Sequence, residues 1–213
     1  LGGKTPKQFR SCCGAPLFIQ TLRRLDAARS VRGLIVVAPP DSVKRVGRLL
    51  ARFRIKKVLA IVPGGKERQE SVWLGLQAVP HETEVVLIHD AVRPCVTPTL
   101  VESVIREAER FGAATCGLPA RETVKRIKDG WVEETLSRES LWLTQTPQAF
   151  HRSLLWKAHE KARGDGFRGT DDAVLVERMG VNVRMVRGLQ ENIKITTRED
   201  LTLAQRVLRE PVR

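Results

Sequence analysis

The sequence predicts a single α/β domain spanning residues 1–213, built on a Rossmann-like, doubly wound and mostly parallel sheet, and three observations support this. Four short, apolar, β-branched runs occur before residue 120. Amphipathic segments with helical periodicity separate them. The chain is long enough to bury one substantial core. Strands and helices that alternate in this way favour an open sheet whose ligands bind beyond the carboxyl ends of the strands.

The elements of the first half follow from these patterns in chain order. The predicted strands are GLIVVA at 33–38, KVLAIV at 57–62, EVVLIH at 84–89 and AATCGLP at 113–119. The predicted helices are residues 15–28, 41–53, 70–79 and 97–111. Asp41 is an expected N-cap, and Thr97 is another, with Pro98 at the first helical position.

The second half begins with a predicted β-hairpin at residues 120–136. Two alternating segments flank Asp129-Gly130, which is a strong signal for a type I′ turn. Because a lone hairpin has little to bury, we expect it to be a dimerisation arm that leans on a second subunit. The remaining predicted elements are a loop at 144–150, a helix at 151–163, a helix capped by Thr170, strands at 182–188 and 192–196, and a helix at 198–210 capped by Thr197.

Charge and composition limit the classes of partner. The formal net charge is +13, but the basic residues are spread along helix faces without interleaved aromatic residues. This pattern argues against nucleic acid: the basic residues are expected to be solvated helix faces, and the alternative is a field that attracts small, highly charged anions. No apolar run approaches the roughly 20 residues of a membrane span, so no membrane partner is expected. The spacing of the four cysteines is neither that of a zinc site nor that of a disulfide scaffold, which favours reduced thiols and a cytoplasmic location.

The stretch EVVLIHDAVRPC delivers two charged groups to the end of a predicted strand. Asp90 stands where the strand stops, and a carboxylate there can hold a divalent cation. Arg93, beside Pro94, can offer a phosphate its planar fork of donors. The simpler alternative is that Asp90 caps its own turn and pairs with Arg93. His89 should point to the opposite face and is expected to be packed rather than catalytic.

Other segments offer groups that suit a nucleotide, although each of them, taken singly, is at least as well explained as solvated surface. Lys7 follows a glycine-bearing loop, and Lys194 stands isolated on one face of a predicted strand. The small Gly64 and Gly65 let backbone groups approach a flat base, and Ser71 adds a hydroxyl. We find no paired catalytic carboxylates, no Ser-His-Asp order and no Cys-His nucleophile. Cations, hydroxyls and one acid suit phosphoryl or nucleotidyl transfer, where catalysis is mostly positioning and charge stabilisation.

Taken in order, several stretches resemble the cytidylyltransferases of the non-mevalonate isoprenoid pathway. They are TPKQF, VPGGKERQES, LIHDAVRP, ETVKRI, SRESLW, QTPQAF, TDDA and NIKITTREDL. The resemblance implies a fold of the nucleotide-diphospho-sugar transferase type, a homodimer, Mg²⁺, and CMP transfer from CTP to 2-C-methyl-D-erythritol 4-phosphate. Ribitol-5-phosphate cytidylyltransferases share some of these stretches and are one alternative, although SRESLW favours the isoprenoid enzyme. A basic, non-catalytic module that binds nucleotides or nucleic acid is the alternative from another class.

The resemblance also implies a role for individual residues. Lys7 and Lys194 would stabilise charge at the α-phosphorus of CTP, and Asp90 would face the magnesium-bound triphosphate. Cytosine would lie among Gly64, Gly65 and Ser71. The sugar phosphate would be bound by Arg93, Thr146 and Thr170, with Thr123 and Arg138 reaching it from the partner subunit.

A strand before the first helix is a further expectation. The chain opens on a glycine-bearing loop, and a doubly wound sheet normally feeds such a loop from a strand. The family it resembles has a strand and a Gly-rich AAG.G.R loop at this place, with an arginine that grips the triphosphate. We therefore expect that strand and loop immediately upstream of Leu1.

Overall fold

The computed structural model describes residues 6–209. Its strands are β1 (Ser11–Cys12), β2 (Ala15–Pro16), β3 (Leu34–Ala38), β4 (Val58–Pro63), β5 (Val85–Ile88), β6 (Ala113–Pro119), β7 (Val124–Lys128), β8 (Trp131–Leu136), β9 (Trp142–His151) and β10 (Arg184–Arg187). Its helices are α1 (Leu17–Ala27), α2 (Val43–Arg52), α3 (Arg68–Gln77), α4 (Pro98–Phe111), α5 (Arg152–Gly164), α6 (Ala173–Glu177) and α7 (Arg198–Arg209). The glycine-bearing loop before Pro6 and the predicted end of the last helix at Glu210 lie outside the described residues.

The architecture is the predicted α/β fold, with helices packed on the sheets. The main sheet has the order β10-β6-β9-β5. Strand β10 runs parallel to β6, whereas β9 is antiparallel to both of its neighbours, so the sheet is mixed. Strands β3 and β4 form a separate parallel pair. The four apolar runs are strands, each within two residues of its predicted bounds.

Two predictions about regular structure are wrong. The loop predicted at 144–150 is part of β9, because Gln148 is fully buried and donates to Thr115 Oγ1 at 3.0 Å across the sheet. The strand predicted at 192–196 is absent from the described chain. That segment is held instead by Asn192, whose buried side-chain amide donates to the carbonyl of Thr146 at 2.8 Å.

The helix caps give a mixed outcome. Thr97 caps α4 as predicted and accepts from the Leu100 amide at 3.2 Å, and Thr197 accepts from the Asp200 amide at 3.2 Å at the start of α7. Asp41 is not a cap, because a 3₁₀ turn over Pro40–Ser42 moves the start of α2 to Val43.

Thr170 is not a cap either. Helix α6 begins at Ala173, and it is Asp171 Oδ1 that accepts from the Val174 amide, at 3.0 Å.

The predicted hairpin is confirmed as β7 and β8. Asp129 and Gly130 both have positive φ, at 51° and 85°, as a type I′ turn requires. Trp131 is 81% exposed, and Ile127 and Val132 on the same hairpin are also exposed. An arm that exposes large apolar side chains presents a surface suited to a protein contact.

The largest apolar core lies between α1, α2, α4 and the strands. A cleft of about 790 Å³ separates β3 from β5, and residues of both strands line it. Among the described strands, β3 pairs only with β4 and β5 pairs only with β9, so each presents an unpaired edge to this cleft. The four cysteines are free thiols. Within residues 6–209, no helix is both long and apolar enough to cross a membrane.

Candidate active site

Three cations converge on one carboxylate just beyond the end of β5. Lys194 Nζ lies 3.1 Å and Arg93 Nε 3.4 Å from Asp90 Oδ2. Arg68 Nε lies 3.6 Å from Asp90 Oδ1. The side chain of Asp90 is only 14% exposed. The strand end therefore brings together Asp90, Arg93 and Lys194 as the sequence predicts, and it adds Arg68.

The cations keep Asp90 ionised. Burial on its own would raise the pKa of the Asp90 carboxyl, but Lys194, followed by Arg68 and Arg93, lowers it below its ordinary value. At neutral pH the site therefore holds a carboxylate surrounded by positive charge. Such a cluster can exchange its internal ion pairs for the phosphates of a substrate.

A hydrogen-bond chain behind Asp90 fixes the loop that carries it. The Asp90 amide donates to Thr146 Oγ1 at 3.0 Å, and that hydroxyl lies 3.1 Å from His89 Nδ1. His89 Nε2 lies 3.2 Å from the Arg93 carbonyl. Since that carbonyl can only accept, Nε2 carries the proton and Nδ1 accepts from Thr146.

The structural role predicted for His89 is therefore confirmed. Burial, only partly offset by the Arg93 carbonyl and by Asp90, lowers the pKa of His89 to about 4. The ring is neutral at physiological pH and braces the turn between His89 and Arg93. Thr146 is 5% exposed, and its hydroxyl is already bonded to the Asp90 amide and to His89. It therefore acts on the site by fixing the loop that carries Asp90.

Lys194 reaches Asp90 because its segment is anchored on both sides. Arg93 Nη1 donates to the Asn192 carbonyl at 2.8 Å. The Ile195 amide donates to the Val92 carbonyl at 2.9 Å, and the Ile195 side chain is fully buried. Lys194 lies between these anchors with 42% of its side chain exposed.

The glycine turn after β4 is close-packed. The Gly64 amide donates to the Ala38 carbonyl at 2.7 Å, and the Gly65 amide donates to Ser71 Oγ at 3.1 Å. A Cβ on Gly64 would lie 2.9 Å from Ser71 Oγ, and one on Gly65 would overlap the side chain of Glu70. The predicted trio of Gly64, Gly65 and Ser71 is thus one unit whose shape depends on the two glycines.

Arg68, Asp172 and His159 form a group that sequence reasoning missed. Arg68 is the first residue of α3, and its Nη2 lies 2.7 Å from Asp172 Oδ2. Asp172 Oδ1 lies 3.1 Å from the Nε2 of the fully buried His159. Burial would lower the pKa of Arg68, but Asp172 and then Asp90 hold it above its ordinary value. Two quoted stretches, GGKER and TDDA, contain Arg68 and Asp172, but nothing in the sequence pairs them.

The other predicted site residues belong to other segments of the chain. Lys7 is in a 3₁₀ turn over Lys7–Phe9, and Thr170 is exposed in the loop before α6. Thr123 and Arg138 are exposed near the base of the hairpin, where Arg138 donates to the Arg121 carbonyl. Within the part of the chain that the structure describes, no ion pair or hydrogen bond joins these four residues to Asp90.

Comparison with known proteins places this chain in one family. The family model described as IspD, 2-C-methyl-D-erythritol 4-phosphate cytidylyltransferase, matches residues 1–210. A protein of that name from Pelotomaculum thermopropionicum is 45% identical over 211 residues, which cover 98% of this chain and 89% of the relative. Another from Geobacillus kaustophilus is 45% identical over 202 residues, covering 95% of this chain and 88% of the relative.

Solved structures agree in fold. The crystal structure of 4-diphosphocytidyl-2C-methyl-D-erythritol synthase from Anaerococcus prevotii matches with a TM-score of 0.87 and 29% identity, covering 96% of this chain and 92% of that one. The crystal structure of 2-C-methyl-D-erythritol 4-phosphate cytidylyltransferase from Thermus thermophilus matches with a TM-score of 0.83 and 34% identity, covering 96% and 95%.

Proposed function

The chain belongs to the 2-C-methyl-D-erythritol 4-phosphate cytidylyltransferase family, and from this premise we propose that the cluster around Asp90 is its transfer centre. The enzyme transfers CMP from CTP to 2-C-methyl-D-erythritol 4-phosphate, giving 4-diphosphocytidyl-2-C-methyl-D-erythritol and pyrophosphate. The observation that supports our assignment is the convergence of Lys194, Arg93 and Arg68 on a single ionised carboxylate.

The charges of the reaction explain why such a cluster is useful. A phosphate oxygen of the acceptor attacks the α-phosphorus, the bond to the β-phosphate breaks, and pyrophosphate leaves with the bonding electrons. A phosphate monoester has a second pKa near 6, so at neutral pH the nucleophile is largely dianionic and needs no general base. The protein must instead offset repulsion between two anionic substrates and hold them in line.

The residues divide this work by position. Lys194 and Lys7 would stabilise the charge on the α-phosphate. Arg93, which shares Asp90 Oδ2 with Lys194, would meet the acceptor phosphate. Gly64, Gly65 and Ser71 would receive the cytosine. Thr146 would act on the acceptor indirectly, by holding the backbone of Asp90. Thr170 would bind the acceptor phosphate from the loop before α6.

Magnesium fits the donors that are present. Among the described residues no group of three or more His, Cys, Asp or Glu side chains could hold a metal ion. Mg²⁺ commonly binds one or two carboxylates together with substrate phosphates rather than an all-protein cage. Asp90, held ionised at the open end of the sheet, supplies one such carboxylate. A bound Mg²⁺ would add positive charge at the triphosphate, and Asp90 would hold it there.

The hairpin supports a homodimer with shared sites. Its exposed side chains include Ile127, Trp131 and Val132, which would be covered by a second copy of the chain. Thr123 and Arg138 would then reach the acceptor phosphate in the partner's site.

Pyrophosphate release tests the function directly. The protein would be given CTP and Mg²⁺ with either 2-C-methyl-D-erythritol 4-phosphate or ribitol 5-phosphate. Release with the methylerythritol substrate alone is expected. A preference for ribitol phosphate would move the chain to the sister activity. CTP binding without release from either substrate would favour a binding module.

A further inference from the structure

We propose that Asp172 and His159 are positioning residues for the reaction, which hold the guanidinium of Arg68 at the nucleotide phosphates. This inference rests on the proposed function and names a part of the site that neither the sequence motifs nor the family resemblance assigns. Its basis is a chain of contacts that runs from the core at His159, through Asp172, to Arg68 and Asp90.

Arg68 is placed between two carboxylates that hold it unequally. Its Nη2 lies 2.7 Å from Asp172, whereas its Nε lies 3.6 Å from Asp90. Within residues 6–209, its Nη1 makes no ion pair or hydrogen bond, which leaves that nitrogen for an anion. Arg68 also lines the same cleft as Ser71 and Asp90, so this anion would lie between the proposed cytosine and transfer sites.

Asp172 can hold Arg68 because the fold leaves its carboxylate few alternatives. Asp172 is fully buried, and its Oδ1 is bound by His159. The backbone amide of Asp172 donates to Gln148 Oε1 at 3.2 Å. His159 is also fully buried, and its ring stacks on Trp73 with centroids 6.1 Å apart. A carboxylate fixed on one side by a packed ring presents its other oxygen to Arg68 in one direction.

The loop before α6 and the start of α3 are joined at further points. Gln69 Nε2 donates to the Phe167 carbonyl at 3.1 Å, and Gln69 Oε1 accepts from the Gly169 amide at 2.9 Å. Because Arg68 and Asp172 sit on these two joined segments, their ion pair is set by the backbone and not by chance contact of long side chains. Without the charge of Asp172, Asp90 would be the one remaining ion-pair partner of Arg68 among residues 6–209. The Arg68 guanidinium would then move towards the Asp90 carboxylate, which Lys194 and Arg93 already contact.

The test compares CTP affinity with turnover in three variants of the full chain. Asp172→Asn should raise the calorimetric Kd for CTP, and the KM, by about tenfold, with kcat changed less than about threefold. Arg68→Met should do at least as much. In Arg68→Met/Asp172→Asn the second change should add nothing, because the positioned group is already gone. His159→Phe, which keeps a packed ring but loses the donor, should raise the Kd for CTP by about threefold, and His159→Gln should restore part of the loss.

A nearby ion pair provides the matched control. Arg168 is 79% exposed and pairs with Glu67 on the same two segments, so Arg168→Met should leave the Kd for CTP within about twofold. The double variant removes the half-exposed Arg68 together with the buried charge of Asp172, and it guards against misfolding caused by an unpaired Asp172. Equal effects of Asp172→Asn in the wild-type and Arg68→Met backgrounds would overturn the inference, as would a lower Tm with unchanged CTP affinity. A wild-type protein that binds no CTP would overturn the proposed function as well.

Discussion

The ammonium of Lys194 lies 3.1 Å from Asp90 Oδ2, although the two residues come from opposite halves of the chain. Asp90 follows a strand of the main sheet, while Lys194 stands in an irregular segment anchored by Asn192 and Ile195. Asp90 therefore holds the Lys194 ammonium beside the place where the phosphates of CTP would bind. Lys194 is the most exposed of the three cations around Asp90, and it can exchange its partner at the least cost in packing.

Replacing Lys194 should separate activity from stability. Lys194→Ala removes a charge that would act on the α-phosphate, so kcat should fall by at least about a hundredfold. Its side chain is 42% exposed, and the Tm should change by no more than a few degrees. Steady-state kinetics and thermal unfolding on the same preparations measure both. Lys157→Ala, at an exposed position on α5, is the control and should change neither. Parallel losses of Tm and activity in Lys194→Ala would refute the catalytic assignment.

His89 should make the folded state sensitive to mild acid. Its pKa is about 4 in the folded protein, against 6.5 ordinarily, so between these values the unfolded chain binds more protons. The free energy of unfolding should be unaffected by His89 above pH 6.5 and fall by about 3 kcal/mol as the pH drops to 4. The lowered pKa of Asp90 acts separately, below about pH 4.

Urea unfolding at a series of pH values checks this prediction. His89→Gln keeps an amide that can donate to the Arg93 carbonyl but does not titrate, so its stability should decline less between pH 6.5 and 4. His81→Gln, at an exposed histidine, should follow the wild-type curve. If His89→Gln and the wild type lose stability in step, the ring of His89 is not the titrating group.

Local pattern was enough to predict the elements whose stability comes from apolar burial. The β-branched runs at β3, β4, β5 and β6 and the turn at Asp129-Gly130 needed no knowledge of the rest of the chain. Strand β9 could not be found in this way, because its middle contains polar residues and Pro147. Gln148 is buried there only because Thr115 and Asp171 from other segments satisfy its amide.

The site residues also fall into those that local sequence predicts and those that depend on contacts between distant segments. Asp90 and Arg93 were found because one short stretch contains both, and Lys194 because its neighbours are apolar. Arg68 and Asp172 also lie in stretches that carry the family resemblance, VPGGKERQES and TDDA. Their role, however, depends on a contact between segments far apart in sequence. A single sequence carries no signal for such a pair. The structure shows it directly, because Asp172 contacts both Arg68 and the buried His159.

The part of the cleft that lies between the edges of β3 and β5, as distinct from the end at Arg68, Ser71 and Asp90, should accept one more parallel strand. Both strands present unpaired edges to it within the described chain, and Leu59 beside it is 60% exposed. A form of the protein carrying an apolar, β-branched segment upstream of residue 1 should therefore show a higher Tm and slower amide exchange at residues 34–38 and 85–88. A segment of the same length rich in Gly and Ser is the control. Unchanged exchange in both strands would show that the cleft does not receive a strand.

Mixing two inactive variants should decide whether the hairpin serves the partner's site. In an Arg138→Ala subunit Lys194 is intact, and in a Lys194→Ala subunit Arg138 is intact. If Arg138 reaches across the dimer, each mixed dimer contains one site with both residues, so an equal mixture should recover about a quarter of wild-type pyrophosphate release. If Arg138 serves its own subunit, every site lacks one residue and the mixture stays inactive.

The dimer itself should depend on the exposed face of the arm. Ile127→Glu/Val132→Glu places two charges where a second copy would pack, and light scattering should report a monomer. Leu203→Glu, at an apolar residue of α7 that is 48% exposed, should leave the dimer intact. The monomeric variant should also fail to complement in the mixing experiment, because Arg138 could no longer reach a partner. Complementation that survives in a monomer would mean that Arg138 acts without the arm contact, and the shared-site proposal would fall.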